Sequence, residues 1–419
     1  MKKVGKGATL LVCLVAGYLL LGFVAWLVPD APVRRHVEQS IASGDLGEDY
    51  PKAIVRDKYD CQDAYTMDNF TDALIINQVV CLRSEGLKGI LLLPRHDEGI
   101  FQCHNLRKLM SGTEDGWTTH YGRYWHGTTF VARLLLVLTS YTGIRYILYL
   151  LSSLLLLWCM LRLWRTVGKG ATLALAAALL MVNVFVMQFS LQFFPVLMIA
   201  LGGIVWLTYH HTRGAELLFL VLGSLTAFFD LITVPTITLG LPMVVWVAMR
   251  REDDLRQGIW MVAKLALWWL AGYVLTWASK WGLATLFTQE NIFVNAYEQG
   301  SFWSKGGGSY VGEALSSNLK FLHWKYIVLA LAALVAMAAV HPRWQGWKTA
   351  VSFLFVALIP FAYYVVMAHP AQHHAWYNFR ALATAVMALL MAAATMVDWN
   401  RFSFLKKCKL WTEPKDETK

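Results

Sequence analysis

Charge is scarce in this sequence. Only 15% of its 419 residues are Asp, Glu, Lys or Arg, where a soluble globular chain carries about 25%. With 57% of residues hydrophobic, a fold wholly surrounded by water would have to bury more surface than its volume allows, so lipid must cover part of it. Also missing is a small-x-small cleavage site after the first apolar run, Ala8 to Val28, which follows Lys2, Lys3 and Lys6. That run is longer than a signal-peptide core of about 7–15 residues. It therefore reads as an uncleaved first transmembrane helix. No cysteine spacing of zinc-binding type occurs. No internal repeat is found, and the two halves are not inverted copies, which speaks against a repeat-built transporter.

What charge there is has a pattern. Residues 30–130 hold 11 basic and 15 acidic residues, out of 37 and 27 in the whole chain, which leaves −4 there and +14 elsewhere. The basic excess lies in short loops and the tail, which is a topology signal and not a nucleic-acid signal. Ten hydrophobic spans are read at 8–28, 143–164, 170–188, 192–209, 215–230, 234–249, 258–285, 325–341, 349–367 and 379–397. Several are near the minimum of about 17 residues that crosses a bilayer. With a cytoplasmic N-terminus, the inner loops carry Arg165, Lys169, Arg213, Arg250, Arg251, Arg256, Arg343 and Lys348, and the tail adds Arg401, Lys406, Lys407 and Lys409. The outer loops at 189–191, 231–233 and 368–378 contain neither Lys nor Arg. Both termini are then cytoplasmic.

The expected organisation is all-α and polytopic: a first transmembrane helix (1–29), an extracytoplasmic loop with surface helices (30–142), a transmembrane bundle (143–397) and a cytoplasmic tail (398–419). A connector as long as 30–130 needs its own structure. Tyr65 to Leu82 reads as a helix that Asp68 or Asn69 can cap, with Phe70, Leu74 and Ile75 as an apolar face, and Gly86 to Pro94 breaks it. Thr128 to Leu138 reads as a second helix, lying along the membrane surface and packed on the bundle. A second outer loop, 286–324, is Gly-rich around Lys305 to Ser309 and is expected to be mobile. Cys61, Cys81 and Cys103 share the first loop, so an oxidising compartment would permit one disulfide among them.

Four clusters could carry chemistry. Asp68 and Asp72 are four apart and share a helix face; as like charges they suit a general base, and as first-turn acids they suit plain capping. Tyr121 to Gly127 contains Arg123, Trp125 and His126. Aromatic rings beside a guanidinium fit a sugar face and an anion, or equally an interfacial belt. Asp230 follows a span, where a carboxylate must be paired or wet. His369 to Arg380 contains His373, His374, Trp376, Tyr377 and Arg380. An Arg at headgroup depth can hold a phosphate or merely snorkel, and adjacent histidines diverge, so no metal site is expected. All four clusters project to the same side of the membrane.

One N-terminal span, a large first outer loop with two surface helices, an acidic residue at the start of the first of them and a polytopic bundle follow: this architecture resembles the GT-C superfamily of membrane glycosyltransferases. The resemblance covers the whole chain. It implies transfer of a sugar from a polyprenyl-phosphate carrier to an envelope glycan or lipid acceptor, with inversion, outside a bacterial inner membrane. It implies Asp68 as general base with Asp72 as neighbour or alternative, and Arg380 and Arg123 as phosphate ligands, ahead of Lys320 and Lys325. Asp230 and His373 or His374 would contact sugar. No cofactor is implied beyond the lipid-linked sugar donor, and dependence on a divalent metal is left open. The competing readings are a transporter or flippase, which would place ionisable groups mid-membrane, and a polysaccharide polymerase or ligase, whose large outer loop comes later in the bundle.

Overall fold

The computed structural model describes residues 2–51, 64–112, 116–251, 254–304 and 309–402. The chain is mostly helical. Helix α1 (Lys2–Leu27) stops before Pro29, and α2 (Asp30–Ala42) starts immediately after it with Asp30 in its first turn. Helix α3 (Asn69–Cys81) begins at the Asp68 cap. It is buried on nearly every side rather than along one apolar face. A single turn, α4 (Gly89–Leu92), ends at Leu93 in the left-handed conformation (φ 51°). Pro94 opens β1 (Pro94–Asp97), which pairs antiparallel with β2 (Trp117–His120) so that Pro94 faces His120. Between the strands lies α5 (Gln102–Ser111), and α6 (Gly127–Leu136) closes the unit.

The bundle follows as α7 (Tyr141–Thr166), α8 (Lys169–Met181), α9 (Val184–Phe189), α10 (Phe194–His210), α11 (Ala215–Phe229), α12 (Ile237–Arg250) and α13 (Leu255–Thr288). Then come α14 (Ile292–Ser304), α15 (Ser309–Phe321), α16 (Trp324–Val340), α17 (Trp347–Ala357), α18 (Ile359–Val366), α19 (Ala368–His373), α20 (Ala375–Asn378) and α21 (Ala383–Thr395). Among the described residues, five stretches are long and apolar enough to cross a membrane: Lys3–Leu27, Tyr141–Thr166, Leu255–Thr288, Trp344–Val366 and Ala375–Thr395. A sixth is counted if α15 and α16, bent by 82° at their junction, are one span. This is consistent with an all-helical membrane protein. Helices stand at the other expected span positions too, but α8, α10, α11 and α12 are only 13, 17, 15 and 14 residues long.

The second loop differs from expectation. Most of 286–324 is ordered into α14 and α15, and the glycine run at 306–308 lies outside the described residues. Of the three loop cysteines, Cys81 and Cys103 are free thiols, and Cys61 lies outside the described residues.

Glycine permits the closest helix crossing. A Cβ on Gly223 of α11 would lie 1.9 Å from the Trp269 carbonyl oxygen, and one on Gly272 of α13 would lie 2.0 Å from that of Leu220. Small residues on both helices let the backbones touch, as at membrane helix interfaces generally. Beside this crossing a buried hydroxyl chain joins three helices: Tyr18 Oη is 2.9 Å from Ser224 Oγ, which is 2.7 Å from Thr276 Oγ1.

The α2–α6 unit has its own core of Val33, Val37, Ile75, Val79, Leu106 and Leu136, continuous with Tyr141 and Ile144 of α7. Two buried cations fasten it. Arg133 of α6 donates to the carbonyls of Ala25 (2.9 Å), Val28 (2.7 Å) and Val79 (2.6 Å) and to Asp30 Oδ1 (2.5 Å). It thereby satisfies carbonyls that the end of α1 leaves open. Lys280 of α13 donates to the carbonyl of Leu91 (2.8 Å) at the end of α4. The expected Thr128–Leu138 helix is therefore α6, one residue earlier and buried on most of its length.

Candidate active site

The start of α3 is held from outside. The amides of Met67 and Phe70 donate to the carbonyls of Pro51 (2.9 Å) and Asp49 (2.8 Å), so an extended segment braces the first turn. Asp68 caps that turn: its carboxylate accepts from the Thr71 amide (3.0 Å) and the Thr71 hydroxyl (2.7 Å). The side chain is buried, and burial pushes its pKa up; the two Thr71 bonds oppose this, the Asp72 charge adds to it, and the Arg380 charge lowers it. The outcome is about 7. A carboxylate poised there can exchange a proton at neutral pH, as a general base must.

Asp72 is different. It accepts from the Tyr141 hydroxyl (2.7 Å), the Leu191 amide (3.1 Å), the Ser190 hydroxyl (3.2 Å) and the Gln192 amide (3.3 Å). Four donors occupy the lone pairs of one carboxylate. This residue ties α3 to the bundle.

Arg380 is fully buried next to Asp68. Its guanidinium donates to the carbonyls of Trp376 (3.2 Å), Ala64 (3.3 Å) and Tyr377 (3.5 Å), and lies over the rings of Phe193 (4.9 Å) and Phe379 (5.0 Å). Among the described residues it makes no salt bridge, and the Asp68 carboxylate is the charge that acts on it. Trp376 meets Tyr50 edge-on (5.5 Å), and Tyr50 stacks on Phe70 (5.7 Å).

Tyr377 is within electrostatic reach of both Asp68 and Asp230. Asp230 is buried in its own turn, accepting from the Thr233 amide (3.1 Å) and hydroxyl. That turn carries Ile232 at φ 64°. A β-branched residue in the left-handed region is strained, and such strain persists only where surrounding contacts hold it. Here the Tyr363 hydroxyl donates to the Ile232 carbonyl (2.9 Å).

Ile232 also lines a cavity of about 280 Å³, shared with Arg123, Tyr124, Trp277, Trp281 and Gln299. Arg123 lies 4.1 Å above the Tyr121 ring and 5.3 Å from the Tyr124 ring, and reaches Asn295 Oδ1 at 3.4 Å. A cation against aromatic and apolar walls suits an amphiphilic anion. Tyr124 and Tyr363 both lie within reach of the Asp230 charge. Shared electrostatic reach thus links Tyr124 of the cavity to Asp230, Asp230 to Tyr377, and Tyr377 to Asp68 in one run.

Other expected site residues fall outside this run. Trp125 is wholly buried with its indole N–H on the Thr276 carbonyl (2.8 Å), so it is core and not a sugar platform. His126 is buried behind Tyr121 (5.0 Å) and Tyr124 (5.7 Å). Burial, followed by the charges of Lys280, Arg123 and Arg95, holds its pKa well below the ordinary 6.5, so it is neutral. The adjacent histidines do diverge. His374 stacks on Tyr377 (5.1 Å), while His373 turns outward to His369, with ring nitrogens 3.1 Å apart. Lys320 and Lys325 are exposed. Among the described residues no three His, Cys, Asp or Glu converge as metal ligands.

Sequence reading missed Tyr50, Tyr363 and Lys280. Only Lys280 left a signal, as a charge inside an apolar run. No family model, curated protein or solved structure matches this chain.

Proposed function

We propose that this protein is a membrane glycosyltransferase of GT-C type that moves a sugar from a polyprenyl-phosphate carrier to a hydroxyl of an envelope glycan or lipid. The observation that carries this reading is the buried Asp68, its pKa brought to about 7 within reach of the Arg380 charge, in a chain that also holds a cationic, aromatic-walled cavity at Arg123. In this reading the chain crosses a bacterial inner membrane ten times with both termini cytoplasmic, the short helices spanning locally thinned bilayer. The α2–α6 unit and the α14–α15 pair then stand outside.

The lipid phosphate sits against Arg123, with its prenyl chain along Trp277, Trp281 and the apolar cavity wall. Asp68 takes the proton of the acceptor hydroxyl as that oxygen attacks the anomeric carbon. The carbon–phosphate-oxygen bond breaks on the opposite face, inverting the centre, and the lipid phosphate leaves against the guanidinium. A phosphate is already a good leaving group, so one base, charge neutralisation and alignment suffice. Arg380 is a positioning residue that keeps part of the Asp68 population ionised.

The test is a transfer assay with the purified protein, radiolabelled polyprenyl-phosphate sugars and envelope glycan acceptor. Transfer by the native chain and its loss in Asp68→Asn are expected. Full activity in that variant, or carrier-independent sugar flux through vesicles without transfer, sinks the reading.

A further inference from the structure

His120, the last residue of β2, joins three parts of the chain. Its Nε2 is 2.5 Å from Glu85 Oε1, just after α3, and its Nδ1 is 2.5 Å from Glu290 Oε1, in the short turn between α13 and α14. A neutral imidazole has one N–H; donating to two carboxylates requires both, so the ring is an imidazolium. All three side chains are partly exposed, so water can deliver or remove the proton.

Among the described residues, no other charge nearby replaces this one. On β1, Arg95 is paired with Asp97 (2.8 Å). On α13, Lys280 is bound to the Leu91 carbonyl, and Arg123 lies on its tyrosines. Lys88 and, on α14, Glu298 are exposed. Helix α14 has few other ties: Ile292 is buried, Phe293 meets the Trp281 ring edge at 5.8 Å, Asn295 accepts from Arg123 at 3.4 Å and Phe302 meets the His369 ring edge at 6.4 Å, while Val294 and Tyr297 are exposed. This same helix supplies Ala296, Gln299 and Gly300 to the wall of the Arg123 cavity.

We propose that His120 is a proton-operated clasp: as imidazolium it draws Glu85 and Glu290 together and holds α14 over the Arg123 cavity, and on losing its proton it leaves two carboxylates that repel and release the helix. Partial burial pulls the imidazole down, but the bond to Glu85 and the charges of Glu290 and Glu85 outweigh it and raise the pKa above the ordinary 6.5. A raised histidine pKa means the contribution is complete below the unfolded value and is lost as pH rises through the folded one. The clasp is therefore shut in mild acid and opens toward alkaline pH. That opening gates lipid access rests on the transferase reading; the movement itself does not.

Backbone hydrogen exchange of residues 292–304 in the full-length protein in detergent tests the clasp, corrected for intrinsic rates at about pH 6 and about pH 9. Protection of α14 is expected to fall about tenfold at the higher pH, as loss of a charged hydrogen bond implies. Helix α7 should not change. His120→Lys, positive at both pH values, should keep α14 protected, and the double variant Glu85→Gln/Glu290→Gln should abolish the pH response. Unchanged α14 exchange across this range in the native protein, or an equal loss in His120→Lys, overturns the proposal. Because this readout needs no sugar transfer, a pH-responsive but inactive protein would sink only the transferase reading, and an active one with a pH-insensitive α14 only the clasp.

Discussion

The α2–α6 unit meets the rest of the molecule along two seams built from the same kinds of group. At the inner seam, Asp72 gathers four donors from α7 and the α9–α10 turn, all out of water. At the outer seam, His120 gathers two carboxylates within reach of water. A buried carboxylate with every lone pair filled cannot be released without stranding its donors, so the inner seam is permanent. An exposed ion pair contributes little and answers to pH, so the outer seam is adjustable. Asp68, one turn from Asp72, belongs to neither: it is as buried as the first and as able to titrate as the second.

Each contrast can be broken. Asp72→Ala should have the largest effect on stability, about 3–5 kcal/mol by thermal denaturation in detergent, because it strands the Tyr141 and Ser190 hydroxyls and two amides. Asp68→Asn should separate chemistry from fold. Asn caps a helix about as well as Asp, so the melting temperature should hardly move while transfer falls on the order of 10²–10⁴-fold. The native rate should rise with pH through about 7 as Asp68 loses its proton. Removing the charge that lowers Asp68, with Arg380→Gln, should shift that rise to higher pH, read from rate profiles of both proteins. The smallest effect on stability is expected for His120→Gln, less than about 1 kcal/mol in the same melting experiment. A loss there as large as that of Asp72→Ala would mean that the two seams do not differ.

Much of the frame was legible in the sequence. Apolar runs announce helices locally, and Asp68 with Thr71 three residues on is a capping pattern that needs no tertiary knowledge. The division of labour between Asp68 and Asp72 was not legible, because it is decided by Tyr141, Ser190 and Leu191, which lie far along the chain. Trp125 looked like a ligand platform because an aromatic beside an Arg has that composition; only packing reveals that its N–H is taken by α13. Helices α14 and α15 were hidden by the glycines between them, which suggested a loop throughout.

Helix α13 has 34 residues. At about 1.5 Å per residue it is about 51 Å long, and the hydrocarbon core of a bilayer is roughly 30 Å thick. In the ten-span reading proposed above, the surplus of about 20 Å stands clear at the outer, C-terminal end as a mast. Lys280, which hydropathy alone would sink in lipid, belongs to its C-terminal third, as do Trp277 and Trp281. The mast fixes the height at which the cavity is carried above the hydrocarbon. Shortening it by one turn would lower that cavity and alter which acceptors come within range, leaving the groups that perform the chemistry untouched.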